Sequence, residues 1–312
     1  MPELPEVETV RRGLEEQLAG RTFAGLSYLE WPRTIESPAP EELHARLAGR
    51  RVLGVRRRAK FIVIDLAGGE HLVIHLRMTG RLRIAPGDAP RDRHERVALA
   101  FDDGDELRFS DIRRFGRIGL YDDQGLAGRF RGLGPEPLGD DLDADAFAAL
   151  LARRRTRLKP LLLYQAFLAG LGNIYVDEAL HRAGLHPLTA ADSVPPEHAA
   201  ALYAAIREVL GEAIASGGTT FSNFRDAYGG EGAYYERRRV YGRADEPCPT
   251  CGATIARIVV GGRGTHLCLV CQPPAQGVPD PPGVVRLPAH PPERPLRRVA
   301  EDRAGYADPE QG

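Results

Sequence analysis

"CPTCGATIARIVVGGRGTHLCLVC", residues 248–271, contains all four cysteines of the chain, arranged as two C-x-x-C pairs. Cys248 and Cys251 form the first pair and Cys268 and Cys271 the second, with sixteen residues between them. Each pair lets one tight knuckle aim two thiolates at the same ion. Four thiolates complete a closed tetrahedral shell around zinc, and the spacing lies within the window of such sites. Two disulfides or a redox C-x-x-C are the alternative readings, and a cytosolic chain has little use for structural disulfides. A closed shell has no open position, so one structural zinc is expected and not a reaction centre. Between the pairs, "ARIVVGGRGTHL" reads as two strands about a glycine-rich turn. Such a hairpin presents Arg263 near its tip. An arginine there reads as a phosphate or groove contact, or as an ordinary solubilising turn residue.

Upstream of the finger the pattern is helical over roughly 143–155, 160–168, 173–183 and 196–216. "LAGLGNIYVDEAL" (168–180) puts a glycine turn before a helix that Asn173 is expected to help start. Residues 217–238, rich in Gly, aromatics and Arg, read as a mobile loop. "GLGPEPLGDD" (132–141) reads as a hinge. Before it, from Phe23 to Tyr121, short apolar runs such as "FIVIDL", "HLVIHL", "RVALAF" and "RIGLY" alternate with turn residues, and "DDGD" (102–105) is a hairpin signal. Residues 6–19 carry Val7, Val10, Leu14 and Leu18 at helical spacing, and Gly20 ends the stripe. The front of the chain is thus a mostly β domain with one helix packed on it. Residues 273–312 are rich in Pro, Arg and Asp and hold too few large apolar groups to fold, so a disordered tail is expected.

A length of 312 residues suits about two domains with cores of their own. Hydrophobic residues make up 43% and charged ones 27%, a globular balance. No apolar run approaches the roughly 20 residues of a membrane span. The start is acidic and Pro-rich, the reverse of a signal peptide, so a cytoplasmic protein is expected. The net charge of -1 gives no global sign of a nucleic-acid partner. Arginine runs at 56–58, 113–114, 153–155 and 237–239 can nonetheless form a basic face within a neutral total. Only Lys60 and Lys159 are lysines. Arginine cannot release a proton, so each lysine marks a position where a releasable one is worth looking for. The first ten residues, "MPELPEVETV", raise a further question. Trimming of Met1 would leave Pro2 with a free secondary amine, either a trivial terminus or a nucleophile.

Six segments in order carry a resemblance: "PELPEVETVRRGL", "RRRAKFIVIDL", "HLRMTGRL", "DIRRFGRIG", "GLGNIYVDEAL" and "YGRADEPCPTC…GGRGTHLCLVCQ". Over about residues 2–272 the chain resembles the bacterial formamidopyrimidine-DNA glycosylases. The resemblance implies an α+β multidomain fold: a β-sandwich with an N-terminal helix, then a helix–two-turns–helix domain with a four-cysteine zinc-finger hairpin. The boundaries expected are 1–131 for the sandwich, 132–141 for the hinge, 142–238 for the helical domain with a lesion-capping loop, 239–272 for the finger and 273–312 for the tail.

The resemblance also implies an activity: excision of oxidised purines from double-stranded DNA, followed by nicking at the abasic site. The protein would act as a monomer, cytoplasmic and associated with the nucleoid through DNA. Pro2 matches the amine nucleophile of the family, Glu3 its general acid/base and Glu6 a second carboxylate near the site. As bare residues both glutamates also fit ordinary first-turn helix acids. Lys60 matches a phosphate-contacting lysine that assists elimination, and Arg263 the finger arginine that grips phosphate. His94, Arg113, Arg154 and Asn173 match DNA-contact positions. Met78, Arg113 and Phe115 match the trio that fills the gap left by an everted nucleotide. Arg77 departs from the pattern, standing where the family commonly has Gly before the wedge methionine. The sister family that excises oxidised pyrimidines typically has Gly at the position of Leu4 and lacks this trio. A non-catalytic DNA-binding module of the same fold is the reading from another class, and an intact Pro2, Glu3 and Lys60 argue against it.

Overall fold

A computed structural model describes residues 1–220 and 224–274. Residues 275–312, which hold nearly all of the tail expected to be disordered, lie outside the described residues.

The chain enters through helix α1 (Leu4–Leu18), whose Val7, Val10, Leu14 and Leu18 are all buried. Strands β1 (Phe23–Leu29) and β2 (Ile35–Ser37), helix α2 (Pro40–Leu47), and strands β3 (Val52–Arg58), β4 (Phe61–Leu66), β5 (Glu70–His75), β6 (Gly80–Pro86), β7 (Glu95–Phe101), β8 (Asp105–Asp111) and β9 (Arg117–Asp122) follow. Helix α3 (Asp123–Phe130) closes this part of the chain. The strands form two sheets, β1-β7-β8-β6 and β2-β9-β5-β4-β3. The "DDGD" turn joins β7 to β8 as an antiparallel pair. One core fills the sandwich, with Ile62, Ile64 and Leu72 of one sheet meeting Val97, Leu99 and Leu107 of the other. The sequence led us to expect one helix here, and the domain has three. Helix α2 adds Leu43 and Leu47 to the sandwich core, and the reason for α3 lies in "FIVIDL", whose odd positions, Phe61 and Val63, face away from that core. They need a cover of their own, and Leu126 of α3 with Ala169 supplies it.

The second half is helical: α4 (Ala144–Ala152), α5 (Leu158–Leu163), α6 (Asn173–Arg182) and α7 (Pro196–Ala215). Their core includes Phe147, Leu158, Leu171, Tyr175 and Leu202, and also Leu4. The first residue of α1 therefore belongs to the helical core, while Val7, one turn later, belongs to the sandwich core. Burial of Leu4 removes about 2–3 kcal/mol worth of apolar surface from water, and Leu4 N donates to Gly170 O at 3.1 Å. The N-terminal residues are thereby clamped at the junction of the two cores.

The 132–141 stretch is tied down as well. Glu136 accepts from Arg57 Nη1 at 2.7 Å and Arg58 Nη1 at 2.8 Å, both at the end of β3. Strands β10 (Ala256–Val260) and β11 (Arg263–Leu267) complete the described chain as the expected hairpin. Its turn, Gly261-Gly262, has φ of +56° and +73°, which favours glycine at both positions.

Candidate active site and finger

Pro2 is buried beside a cleft of about 220 Å³ that Met1, Glu6, Met78, Thr79, Arg113, Ile174 and Thr219 also line. Glu3, 3% exposed, reaches across to the start of α6, where its Oε1 accepts from Ile174 N at 3.1 Å. A carboxylate at a helix N-terminus meets unpaired N–H groups and the positive end of the dipole. Glu3, not Asn173, therefore satisfies the first turn of α6. The residue expected to start this helix is its first helical residue, after Gly172, and makes no capping bond. Gly172 is required at that position. A Cβ there would collide with the Glu3 carboxyl group, and one on Gly170 would strike Leu4.

The second oxygen of Glu3, Oε2, is buried without a hydrogen-bond partner among the described residues. Burial raises the Glu3 pKa from 4.5 to about 7, against the pull of Lys60 and with a further push from Glu6. Such a group carries or yields a proton near neutral pH. Glu6 is also buried, and its bonding is fully used. Oε2 accepts from Glu3 N at 2.8 Å, the reciprocal half of a capping box. Oε1 accepts from the Tyr175 hydroxyl and from Thr219 N at 2.7 Å. Glu6 thus ties α1 to α6 and to the segment after α7. Burial raises its pKa, and those hydrogen bonds oppose the shift.

Lys60 follows Ala59, whose φ of +53° turns β3 into β4. It is 7% exposed, and among the described residues no carboxylate lies within ion-pair distance of it. Burial lowers its pKa, the charges of Glu3 and Glu6 oppose that, and the charge of Arg263 lowers it further. The finger hairpin is therefore close enough to act on the lysine of the sandwich. Bonds at Gly264 help to hold that hairpin, since Gly264 O accepts from Asn173 Nδ2 at 2.9 Å and from Lys159 Nζ at 3.1 Å. Lys159 is fully buried and paired with Asp177 Oδ1 at 2.6 Å. The releasable proton looked for at Lys159 is instead committed to an ion pair.

Met78 and Phe115 are not core residues. They are 37% and 46% exposed, and Arg113 stacks over the Phe115 ring at 4.8 Å. Asp111, which sequence reasoning passed over, organises both loops. Its carboxylate accepts from the Thr79 hydroxyl, from Arg113 N at 3.1 Å and from Gly116 N at 2.7 Å. An aspartate at a strand end, followed two residues later by a turn, was the available signal. Arg77 has φ of +55°, a left-handed conformation that favours glycine, and His75 Nδ1 accepts from its N at 2.9 Å. A glycine would meet that backbone demand without strain.

His94 and Arg154 do not line the cleft. His94 leads into β7, where its carbonyl accepts from Asp111 N at 2.9 Å, and Arg154 is exposed just after α4. Tyr234 of the 217–238 stretch is buried against Tyr175, whereas Tyr235 is 42% exposed. Residues 221–223 of that segment lie outside the described residues.

The four cysteine sulfurs lie within 4.8 Å of one another. Cys251 Sγ is 3.4 Å from Cys268 Sγ and Cys248 Sγ is 3.9 Å from Cys271 Sγ. Those separations bracket the roughly 3.8 Å between sulfurs bonded tetrahedrally at about 2.3 Å from zinc. They are far beyond the roughly 2.05 Å of a disulfide. The donor set fits one closed-shell zinc ion. In sequence comparison, residues 1–118 match the formamidopyrimidine-DNA glycosylase N-terminal domain, residues 133–225 its H2TH domain, and residues 245–274 the zinc finger found in FPG and IleRS.

The chain belongs to the formamidopyrimidine-DNA glycosylase family. The formamidopyrimidine-DNA glycosylase of Herpetosiphon aurantiacus is 50% identical over 272 residues, covering 87% of this chain and all of the relative. That of Chloroflexus aurantiacus is 49% identical over 87% of this chain and 98% of the relative. Among solved structures, wild-type Lactococcus lactis Fpg in complex with N7-benzyl-Fapy-dG DNA superposes with a TM-score of 0.81 at 38% identity, over 88% of this chain and 100% of that one. The complex of Lactococcus lactis Fpg with abasic-site DNA gives 0.82 at 37%, over 87% and 100%.

Proposed function

We propose that the protein is a bifunctional DNA glycosylase and abasic-site lyase of base excision repair, acting as a monomer on duplex DNA that carries oxidised purines. The observation that carries this reading is the burial of Pro2 and Glu3 side by side, with the charge of Lys60 acting on Glu3, beside a cleft lined by Pro2, Met78 and Arg113, and with Phe115 exposed and stacked on Arg113. Membership of the family supports the glycosylase activity.

After Met1 is removed, the Pro2 nitrogen is a secondary amine. An α-amino group has an unperturbed pKa of about 8, so a usable fraction is neutral near pH 7. The nitrogen attacks C1′ of the everted nucleotide, and the base leaves with the bonding electron pair and gains a proton. Glu3, with its pKa near 7, gives a proton to the ring oxygen of the sugar as the ring opens. The resulting iminium withdraws electrons, which acidifies C2′. Loss of that proton expels the 3′ phosphate, and a second elimination expels the 5′ phosphate. Lys60 and Arg263 bind the phosphates flanking the lesion, and Asn173 fixes the hairpin that carries Arg263. Met78 and Phe115 occupy the vacated stack while Arg113 bonds the orphaned base. His94 and Arg154 add backbone contacts. The zinc ion is structural, and its four thiolates fix the root of the hairpin.

The domain reading follows the same division: a sandwich over 1–131, a linker over 132–141, a helical domain over 142–238 and a finger over 239–272. No helix among the described residues is long and apolar enough to cross a membrane. We place the protein in the cytoplasm, associated with the nucleoid through DNA.

Borohydride reduction in the presence of an 8-oxoguanine duplex tests the mechanism. The reduced complex should carry the sugar on Pro2, as read by mass spectrometry. An adduct on another amine, or activity in protein that retains Met1, overturns it.

A further inference from the structure

Helix α6 carries Asn173, Asp177 and His181 at intervals of four, so the three share one face. That face meets the finger. Asn173 holds Gly264 O, and Asp177 Oδ2 accepts from His266 N at 2.9 Å. His181 makes the third contact, its Nε2 lying 3.4 Å from Cys248 Sγ. The first two bonds join ordinary polar groups, whereas the third reaches a sulfur of the metal shell.

His181 is 4% exposed, and its Nδ1 is buried with no hydrogen-bond partner among the described residues. The side chain lines a cavity of about 340 Å³ shared with Arg182, Glu208, Glu212, Arg239 and Cys271. A metal-bound thiolate has lone pairs and no proton, so it can only accept. The ring nitrogen facing it must then carry the hydrogen, and Nδ1 is left as the acceptor on the polar, cavity-lining ring.

We propose that His181 acts as an outer-shell donor to the zinc site, its Nε2–H bonded to the Cys248 thiolate. The bond draws electron density from the sulfur, which makes it a poorer nucleophile toward electrophiles and slows loss of the ion. It also couples α6, whose N-terminus receives Glu3, to the knuckle of the finger. Groups beyond the ligands commonly tune a metal site in this way. His181 is a positioning residue and touches neither substrate nor the reacting atoms.

The test uses full-length, zinc-loaded protein with His181→Phe, which removes the donor, and His181→Gln, which retains an N–H of similar reach. Zinc release to a chromophoric chelator is timed during reaction with N-ethylmaleimide. The Phe variant should release zinc about five-fold faster, the equivalent of one hydrogen bond of about 1 kcal/mol, and Gln should stay near the parent rate. In cobalt-substituted protein the sulfur-to-metal charge-transfer band should move to lower energy in Phe and not in Gln. If Phe crowds the site, His181→Leu makes the same comparison with a smaller side chain. Unchanged release and an unmoved band overturn the proposal, as does a Gln variant that behaves like Phe. A wild-type cobalt spectrum of mixed nitrogen and sulfur ligation, lost in Phe, would make His181 a ligand and overturn it as well.

Discussion

The two lysines occupy opposite ends of one physical contrast. Both are buried, and burial lowers the pKa of both. Lys159 is closed in on itself, with Asp177 Oδ1 at 2.6 Å and Gly264 O at 3.1 Å. Lys60 feels the charges of Glu3 and Glu6 but, among the described residues, has no ion-pair partner within 4 Å. Burying a cation without a direct counter-charge is costly. Among the described residues the donors of Lys60 are unspent while Lys159 is fully paired, which accords with the phosphate-binding role proposed for Lys60. The same contrast separates the two N-terminal glutamates. Glu6 spends both oxygens on protein donors, whereas Glu3 Oε2 has no hydrogen-bond partner among the described residues.

The largest effect expected is at the paired lysine. Lys159→Met leaves Asp177 buried without its cation, which should cost about 3–5 kcal/mol of stability in urea unfolding. The hairpin should loosen from α6 with it, and DNA affinity should fall. A stable Lys159→Met protein with normal affinity would break the contrast.

Lys60→Met should do the reverse. Unfolding should shift by no more than about 1 kcal/mol, because a costly buried charge is removed rather than a pair broken. Single-turnover strand nicking should slow by about 10²-fold or more, on the scale of a positioned proton-transfer or charge-stabilising group. Loss of stability with intact nicking would assign Lys60 to structure.

The third effect concerns pH. A reaction that needs protonated Glu3 loses rate as pH rises through about 7, the pKa that burial sets. Glu3→Gln should slow excision and remove that falling limb. Lys60 lowers the Glu3 pKa, so in Lys60→Met the limb should move to higher pH. Base release measured from pH 5 to 9 reads both, and a limb that stays in place in Lys60→Met would uncouple the two groups.

The smallest effect is at Arg77. Its left-handed φ costs an L-residue about 1–2 kcal/mol, and glycine gives back roughly 0.5–1 kcal/mol of that in chain entropy. Arg77→Gly should therefore change stability by no more than about 1 kcal/mol. The salt dependence of duplex binding should become shallower by about one phosphate contact if Arg77 makes one.

Much of this organisation was legible before any coordinates. Patterns local in sequence survived well: the stripe of Val7, Val10, Leu14 and Leu18, the "DDGD" hairpin, the Gly261-Gly262 turn and the spacing of the four cysteines. Each depends on residues a few positions apart, where helix period, turn chemistry and ligand spacing act directly. Where local reasoning failed, a distant partner decided. Helix α6 does begin at Asn173, but the capping role expected of that side chain falls to the carboxyl group of Glu3, which accepts from Ile174 N, 171 positions along the chain. Lys159 could not be told from Lys60 by composition, because the distinction is Asp177 and the backbone of Gly264. Asp111 and His181 escaped notice because what they hold lies on other elements.

By itself, then, the sequence determined which residue types stand at the start, at the β3–β4 turn and in the finger, and so the chemistry available to the protein. Only the tertiary structure decided the state of those groups. It placed Leu4 in one core and Val7 in the other, which buries Pro2, Glu3 and Glu6 at their junction. A pKa and an unspent lone pair depend on burial and on neighbours far along the chain, and no local pattern of residues encodes either.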